Sequence, residues 1–364
     1  MTNPNLVTPF RVAIPQSDLD ELRERLRRTR WPERETVDDW SQGVPLAKAR
    51  ELVDYWIDRH DWRRCEAALN ALPQFTTEID GQLIYFIHVR SKHADATPML
   101  LTHGWPGSVL EFLQVIAPLT DPTAHGGGAE DAFHLVIPAL PGFGFSGKPT
   151  AKGWSIPRIA KAWSELMKRL GYDEYVAQGG DWGAAVTTAL GVLRPAGLKG
   201  IHVNMPIVMP RDPGTNLSAA EAHMLQQMKD YAERDSGYSH QQSTRPQTLG
   251  YALADSPVGQ AMWIYEKFWR WTDCAGDPLN ALSYDQLLDT ITLYWLTNSG
   301  TSSGRLYWES YKNGFFAVKL DLPVGCSVFA KEIYRAPRSW AERCMSQIVY
   351  WNEVSKGGHF AALE

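Results

Sequence analysis

Cysteine is scarce and scattered. Cys65, Cys274, Cys326 and Cys344 are the four present in 364 residues, and no two stand as C-x-x-C. That spacing excludes a zinc ribbon and a disulfide framework, and it suits a reducing compartment. Runs of like charge are missing: 36 Lys and Arg stand against 41 Asp and Glu, a formal net charge of -5. A nucleic-acid partner is therefore not expected. No stretch nears the roughly 20 apolar residues of a membrane span. The opening Met1-Thr2-Asn3-Pro4-Asn5 lacks the basic-then-apolar pattern of an export signal. The expectation is a cytoplasmic protein without a membrane partner. Internal repeats and low-complexity tracts are absent too. Aromatic residues, by contrast, are plentiful, with 15 Trp, 14 Tyr and 12 Phe, which suits an apolar cavity or a large core. The length admits one large α/β domain with insertions, or two domains.

Along the chain, residues 1–90 read as a first module. Ser17-Asp18-Leu19-Asp20 has the form of a capping box, and Leu19, Leu22 and Leu26 then share one helical face. Further helices are expected over 45–59 and 62–72. Residues 74–79 and 82–89 flank Asp80-Gly81, a pair suited to a two-residue hairpin turn. From residue 98 strand and helix alternate. Strand-like runs cover 98–102, 133–139, 174–177, 198–203, 324–330 and 347–352, and helical runs cover 108–116, 156–170 and 182–193. That alternation implies an α/β fold with a mainly parallel sheet covered by helices. It breaks from about 207 to 320, where the runs Met262–Tyr265, Phe268–Trp271 and Leu293–Trp295 are heavily aromatic. This reads as a helical insertion over the carboxyl edge of the sheet, where open α/β folds bind ligands.

The chemistry is concentrated at Gly179-Gly180-Asp181-Trp182-Gly183. A short strand meets a helix there across a tight turn, as in the nucleophile elbow G-x-S-x-G, with aspartate in place of serine. A carboxylate at that point attacks carbon and forms an ester. His103-Gly104-Trp105-Pro106-Gly107-Ser108 follows a strand and has the H-G-x-P form of a segment that donates a backbone N–H to an oxyanion hole. The bland alternative is an ordinary turn capped by Ser108. An elbow of this kind needs the order nucleophile, acid, histidine, and His359 is the sole histidine after His240. Glu332 stands at the end of a strand, where the acid belongs. Asp321 precedes that strand, Glu342 falls in a helical run, and Glu353 is the competitor. Gly142-Phe143-Gly144-Phe145-Ser146-Gly147 fits the dinucleotide pattern G-x-G-x-x-G. However, Pro141 and Pro149 bracket it and no helix can begin there, so it reads as a loop at the pocket rim.

With these segments in hand, the chain resembles the microsomal-type and juvenile-hormone epoxide hydrolases, from about Phe10 to the last residue. Asp255-Ser256-Pro257-Val258-Gly259, Glu266-Lys267-Phe268 and Gly357-Gly358-His359-Phe360-Ala361-Ala362 match as well. The resemblance implies an α/β-hydrolase core at 91–206 and 320–364 and a helical cap at 207–319. Residues 1–90 would be an N-terminal extension that wraps the core and contacts the cap. It implies Asp181 as nucleophile, His359 as base, Glu332 as its acid partner, and the N–H groups of Trp105 and Trp182 as the oxyanion hole. Tyr238 and Tyr307 would hold the epoxide oxygen, against the bland reading of two core tyrosines among 14. The implied reaction turns an apolar, aryl or bulky epoxide and water into a vicinal diol through an Asp181 ester, with no metal or organic cofactor. Detoxification and a natural-product or antibiotic pathway are the settings such relatives suggest.

Three departures accompany the likeness. No membrane anchor precedes the extension, as in soluble bacterial relatives. The 272–282 loop is shorter than in the animal enzymes. The chain stops five residues after His359, where relatives add a helix. A haloalkane or haloacid dehalogenase would use the same Asp, His and acid, with Trp105 and Trp182 as halide donors. A silent ligand receptor is the alternative outside catalysis, and a serine-type esterase is opposed by Asp181. A homodimer is the one macromolecular partnership left open.

Overall fold

The computed structural model describes residues 6–313 and 316–364. In chain order the strands are β1 (Thr8–Phe10), β2 (Gln74–Ile79), β3 (Gln82–Val89), β4 (Thr97–Thr102), β5 (Phe133–Pro138), β6 (Tyr175–Gly179), β7 (Leu198–Val203), β8 (Leu320–Lys331) and β9 (Met345–Gly358). The helices of the first module are α1 (Gln16–Arg27), α2 (Leu46–Asp58) and α3 (Trp62–Asn70), and those of the core's first part are α4 (Leu113–Thr120), α5 (Ile156–Arg169) and α6 (Trp182–Leu193). Six more cover the sheet edge: α7 (Ala219–Arg234), α8 (Gly237–Thr244), α9 (Pro246–Asp255), α10 (Pro257–Trp271), α11 (Tyr284–Leu296) and α12 (Gly300–Ser310); α13 is Arg338–Cys344.

The strands form one sheet in the order β1-β2-β3-β5-β4-β6-β7-β8-β9. The pairings β1–β2, β2–β3 and β3–β5 are antiparallel, and those from β5 through β4, β6, β7 and β8 to β9 are parallel. This is the α/β-hydrolase arrangement. The β2–β3 turn puts Asp80 and Gly81 at φ 53° and 73°, the paired left-handed conformation that a two-residue hairpin requires. The chain leaves β4 for β5 on one side and then crosses to β6 on the other. The loops after β4 and β6 therefore lie side by side at a topological switch point, where such sheets open a crevice.

The turn from β6 to α6 holds Asp181 at φ 51°, a conformation that costs a non-glycine residue about 1–3 kcal/mol. The packing behind it explains why the strain persists. A Cβ on Gly183 would overlap the Thr102 carbonyl at the end of β4, so glycine lets α6 sit directly on the neighbouring loop. Val186, Leu190 and Ala184 are fully buried beneath the sheet.

Two expectations need correcting. Ser17 is not an N-cap: α1 begins at Gln16, capped by Pro15 without a side-chain bond, and Ser17 Oγ meets only Asp18. Proline has already set the helical entry one turn position earlier. The 142–147 loop lies against α12, with Ser302 Oγ donating to the Gly142 carbonyl at 2.5 Å. It is absent from the walls of the cavity that holds Asp181, and the next helix begins only at Ile156. β1 was not anticipated, since three residues carry no periodicity. The 272–282 loop reaches α2 through Asp277 and Lys48, 3.2 Å apart. Among the described residues, no helix is long and apolar enough to cross a membrane.

The first module grips the helical cover. Trp40 stacks on Trp269 at 4.8 Å, His60 and Arg64 share Asp289 at 2.9 and 2.6 Å, and Arg25 donates to the Asp255 carbonyl. The aromatic runs of α10 and α11 are thus spent largely on packing. Gly183→Ala should lower stability by about 2–4 kcal/mol, because the inserted methyl pushes α6 off the β4 end. Urea unfolding measures this, and an unchanged midpoint would contradict the close approach.

Candidate active site

Asp181, His359 and Glu332 come together although they stand on three separate segments. Asp181 Oδ1 accepts the Trp105 N–H at 2.7 Å, and Oδ2 lies 3.3 Å from His359 Nε2. On the other side of the ring, His359 Nδ1 meets Glu332 Oε1 at 2.6 Å. The same Oε1 accepts the Ile333 N–H at 2.8 Å. That fixes the carboxylate and, through it, the ring. Glu353, the competing acid, is exposed on β9 and pairs with Arg335 at 3.2 Å. The His359 backbone N–H is anchored on the Trp271 carbonyl at 2.8 Å, and the Trp271 ring meets the imidazole edge-on at 5.0 Å.

Burial alone would lower the proton affinity of His359. The Glu332 charge, with the Asp181 contact and charge, outweighs it and holds the imidazolium well above the ordinary histidine range. His103 behaves differently. Its Nε2 accepts the Leu140 N–H at 3.2 Å, so Nδ1 carries the proton and donates to the Gly104 carbonyl at 2.9 Å. Burial pushes its pKa down to about 4. His103 is thus a neutral strut between the loops after β4 and β5. Ser108 Oγ accepts the Leu110 N–H, so the capping expected of that turn is present alongside the Trp105 donor. The Trp105–Pro106 peptide is cis. Trp182 opens α6, the end that carries the positive pole of the helix dipole.

Both expected tyrosines line the same cavity as Asp181, a space of about 110 Å³ walled also by Met205, Met209, Met224 and Met228. Tyr238 stacks flat on Trp105 at 4.9 Å, and Tyr307 stands edge-on to Trp182 at 4.7 Å. The two tryptophan rings are therefore committed to supporting tyrosines. Burial, reinforced by neighbouring tyrosines and by Asp181, pushes both phenols well above their ordinary range. They remain protonated donors. Among the described residues the Tyr307 hydroxyl has no hydrogen-bond partner of good geometry, whereas Tyr238 meets Tyr231 at 3.0 Å. Neither Tyr231 nor the four methionines was singled out in the sequence. They come from one face of α7 and the loop before it, too widely spaced to form a motif.

Two further features went unread. Lys267, in the matched Glu266-Lys267-Phe268 segment, is 2% exposed and pairs with Asp235 at 2.9 Å. Its ammonium lies 4.6 Å from the Tyr238 ring centre, and Asp235 also accepts the Trp271 indole N–H at 2.7 Å. This buried network ties α10 to both Tyr238 and the His359 neighbour. The second feature is a small cavity of about 20 Å³ bordered by Asp181, His359, Glu111, Gln178 and Asn204. Glu111 stands three residues after Ser108, which is the one sequence signal that could have flagged it. A larger cleft, about 1050 Å³ between α1, residues 28–46 and the start of α10, contains none of these groups.

Comparisons with known proteins show the family and the fold. Residues 7–112 match the family described as epoxide hydrolase N terminus, and residues 97–248 match the α/β hydrolase fold. A Stigmatella aurantiaca (strain DW4/3-1) protein, provisionally named an epoxide hydrolase, is 63% identical over 359 residues, spanning 98% of this chain and 82% of its own. Epoxide hydrolase 1 of Sus scrofa is 35% identical over 390 residues, spanning 98% and 86%. The structure of Aspergillus niger epoxide hydrolase superposes with a TM-score of 0.87 at 35% identity, covering 99% of this chain and 92% of the other. The Bombyx mori juvenile hormone epoxide hydrolase gives 0.89 at 29% identity, covering 99% and 91%.

Lys267→Met should destabilise the fold by about 3 kcal/mol, since it leaves the buried Asp235 carboxylate with only the more distant Arg270, 3.8 Å away, as a charge partner. Removing both charges in Lys267→Met/Asp235→Asn should recover much of that loss in guanidinium unfolding. Equal losses in the single and double variants would refute the pairing.

Proposed function

This chain belongs to the epoxide hydrolases of the α/β-hydrolase superfamily, and from that premise we propose that it opens an apolar epoxide through a covalent Asp181 ester. One observation carries the reading. The Asp181 carboxylate is divided between the Trp105 N–H at 2.7 Å and His359 Nε2 at 3.3 Å, in a cavity that also presents Tyr238 and Tyr307. Oδ1 is thereby committed to an oxyanion site, which leaves Oδ2 to attack a ring carbon. The carbon–oxygen bond breaks, and the departing oxygen takes a proton from the tyrosine pair. Donors placed there stabilise the charge that develops only as the ring opens.

Water then completes the cycle. Esterification removes the Asp181 charge, one of the influences that holds a proton on His359. The imidazolium releases that proton to solvent, the neutral imidazole then accepts a proton from water, and Glu332 stabilises the resulting cation. Water oxygen bonds to Asp181 Cγ, and the carbonyl electron pair moves onto Oδ1 beside the Trp105 N–H. The first-turn N–H of Trp182 is the second proposed donor. Collapse breaks the Cγ–O bond to the product, which takes the His359 proton and leaves as a vicinal diol. The proton left on the Asp181 carboxyl restores the tyrosine.

The substrate reading rests on the cavity walls. Four methionine thioethers and four or more tyrosine rings favour an apolar, aryl-sized epoxide, and flexible methionines adapt to varied shapes. A biosynthetic or detoxifying setting is supported by the soluble bacterial resemblance alone. Single turnover of styrene oxide in ¹⁸O-water should place the label in the Asp181 peptide and leave the first diol unlabelled. Asp181→Ala should lose at least about 10⁴-fold in kcat, and His359→Gln should accumulate an ester of substrate mass. Label appearing directly in the diol would rule out the ester route.

A further inference from the structure

The cavity bordered by Glu111 and the tyrosine cavity share Asp181 and no other lining residue. One is apolar and large enough for a substrate. The other, at about 20 Å³, has room for a single water. Its walls combine Phe112 and Phe360 with a polar set: Glu111, Gln178, Asn204 and His359 border it, and Gln178 Nε2 donates to Asn204 Oδ1 at 3.1 Å. Among the described residues His359 Nε2 has no hydrogen-bond partner of good geometry, its nearest contact being Asp181 Oδ2 at 3.3 Å. Glu111 is held in place by the chain just before it. A Cβ on Gly107 would overlap Glu111 Oε1, so the carboxyl lies directly on that glycine. Tyr294 of α11 locks the same turn by donating to the Gly107 carbonyl at 2.8 Å.

We propose that this chamber houses the hydrolytic water and that the Glu111 carboxyl is its second anchor. The inference rests on the Asp181 ester reading. The water donates one proton toward His359 Nε2 and the other to a Glu111 oxygen, which leaves its lone pair aimed at Asp181 Cγ. When it attacks, the first O–H bond breaks to His359 and the new C–O bond forms; the proton shared with Glu111 stays on the water oxygen. Glu111 thus neither gains nor loses a proton across the step, and it orients rather than titrates. Confining water to its own chamber also keeps it from the substrate side while the ring opens.

The role requires a neutral carboxyl, since an anion here would repel the oxyanion forming on Asp181. The titratable groups facing Glu111 are Asp181 from the elbow, His359 from the loop after β9 and Tyr294 from α11. Burial is the main influence, and with the Asp181 charge it outweighs the opposing pull of His359, pushing Glu111 up to about 8. In the ester the Asp181 charge and the His359 cation are both gone, and burial, the main influence, keeps the acid neutral at neutral pH.

Quenched-flow mass spectrometry with styrene oxide separates the two half-reactions. In Glu111→Leu, ester formation should stay within about twofold of wild type while ester hydrolysis falls about 10- to 100-fold, the cost of a misplaced reactant. kcat and KM should fall together as ester accumulates. Glu111→Gln, which mimics the neutral acid, should recover most of the hydrolysis rate at pH 7. Wild-type hydrolysis in Glu111→Leu, or an equal slowing of both half-reactions, would overturn the proposal. No ester in any protein, His359→Gln included, would overturn the Asp181 reading and this inference with it.

Discussion

The rest of the molecule depends on the sharp turn at Asp181. Its φ of 51° is one that an aspartate does not adopt unaided. Helix α6 pressed against the end of β4 through Gly183 holds it there. The turn lifts the carboxylate out of the sheet edge and into reach of three other segments. The loop after β4 offers the Trp105 N–H, the loop after β9 offers His359, and the helical cover offers two phenols. A few kcal/mol of local strain is offset by the large buried sheet behind it.

From that point outward, each ring in the site has a second duty. Trp105 donates its backbone N–H to Asp181 and its ring face to Tyr238. Trp271 contacts His359 while its indole N–H is held by Asp235. Lys267 completes the set by neutralising Asp235 and lying over Tyr238. A buried ion pair is weak evidence for stability, because desolvation consumes most of its attraction. Its value here lies in register: it sets α10 and α8 relative to the catalytic loops, and apolar replacements would not impose that orientation.

How much of this could be read in the chain follows from how local each signal is. The hairpin at Asp80-Gly81, the elbow and the helix at 182–193 are written in consecutive residues, and they fold where they were expected. Glu332 and Glu353 were separable only by strand-end logic, and the distance of 2.6 Å to His359 now distinguishes them. The false capping box at Ser17 shows the limit of such motifs, since Pro15 had already set the helix entry. Tyr231, the methionines and Glu111 were illegible for another reason. Each is an ordinary residue whose meaning lies in what the fold brings beside it. The aromatic runs misled in the opposite direction. They are conspicuous in the sequence, yet Trp269 packs α10 against the first module, Trp271 and Tyr294 brace the site from behind, and the cavity is lined by methionines and by tyrosines from other segments.

The two cavities define how this fold can vary. The apolar one is built by α7, α8, α12 and neighbouring loops, whereas the small polar one is built by the elbow, the loop after β4 and the C-terminal turn. Only Asp181 belongs to both. Substitutions that reshape the substrate side therefore leave the water side intact. In the proposed scheme, the second half-reaction sees the same ester carbonyl whatever was attached to it. In that scheme, a nucleophile shared between an adaptable chamber and a fixed one would let the apolar walls change without rebuilding the polar side.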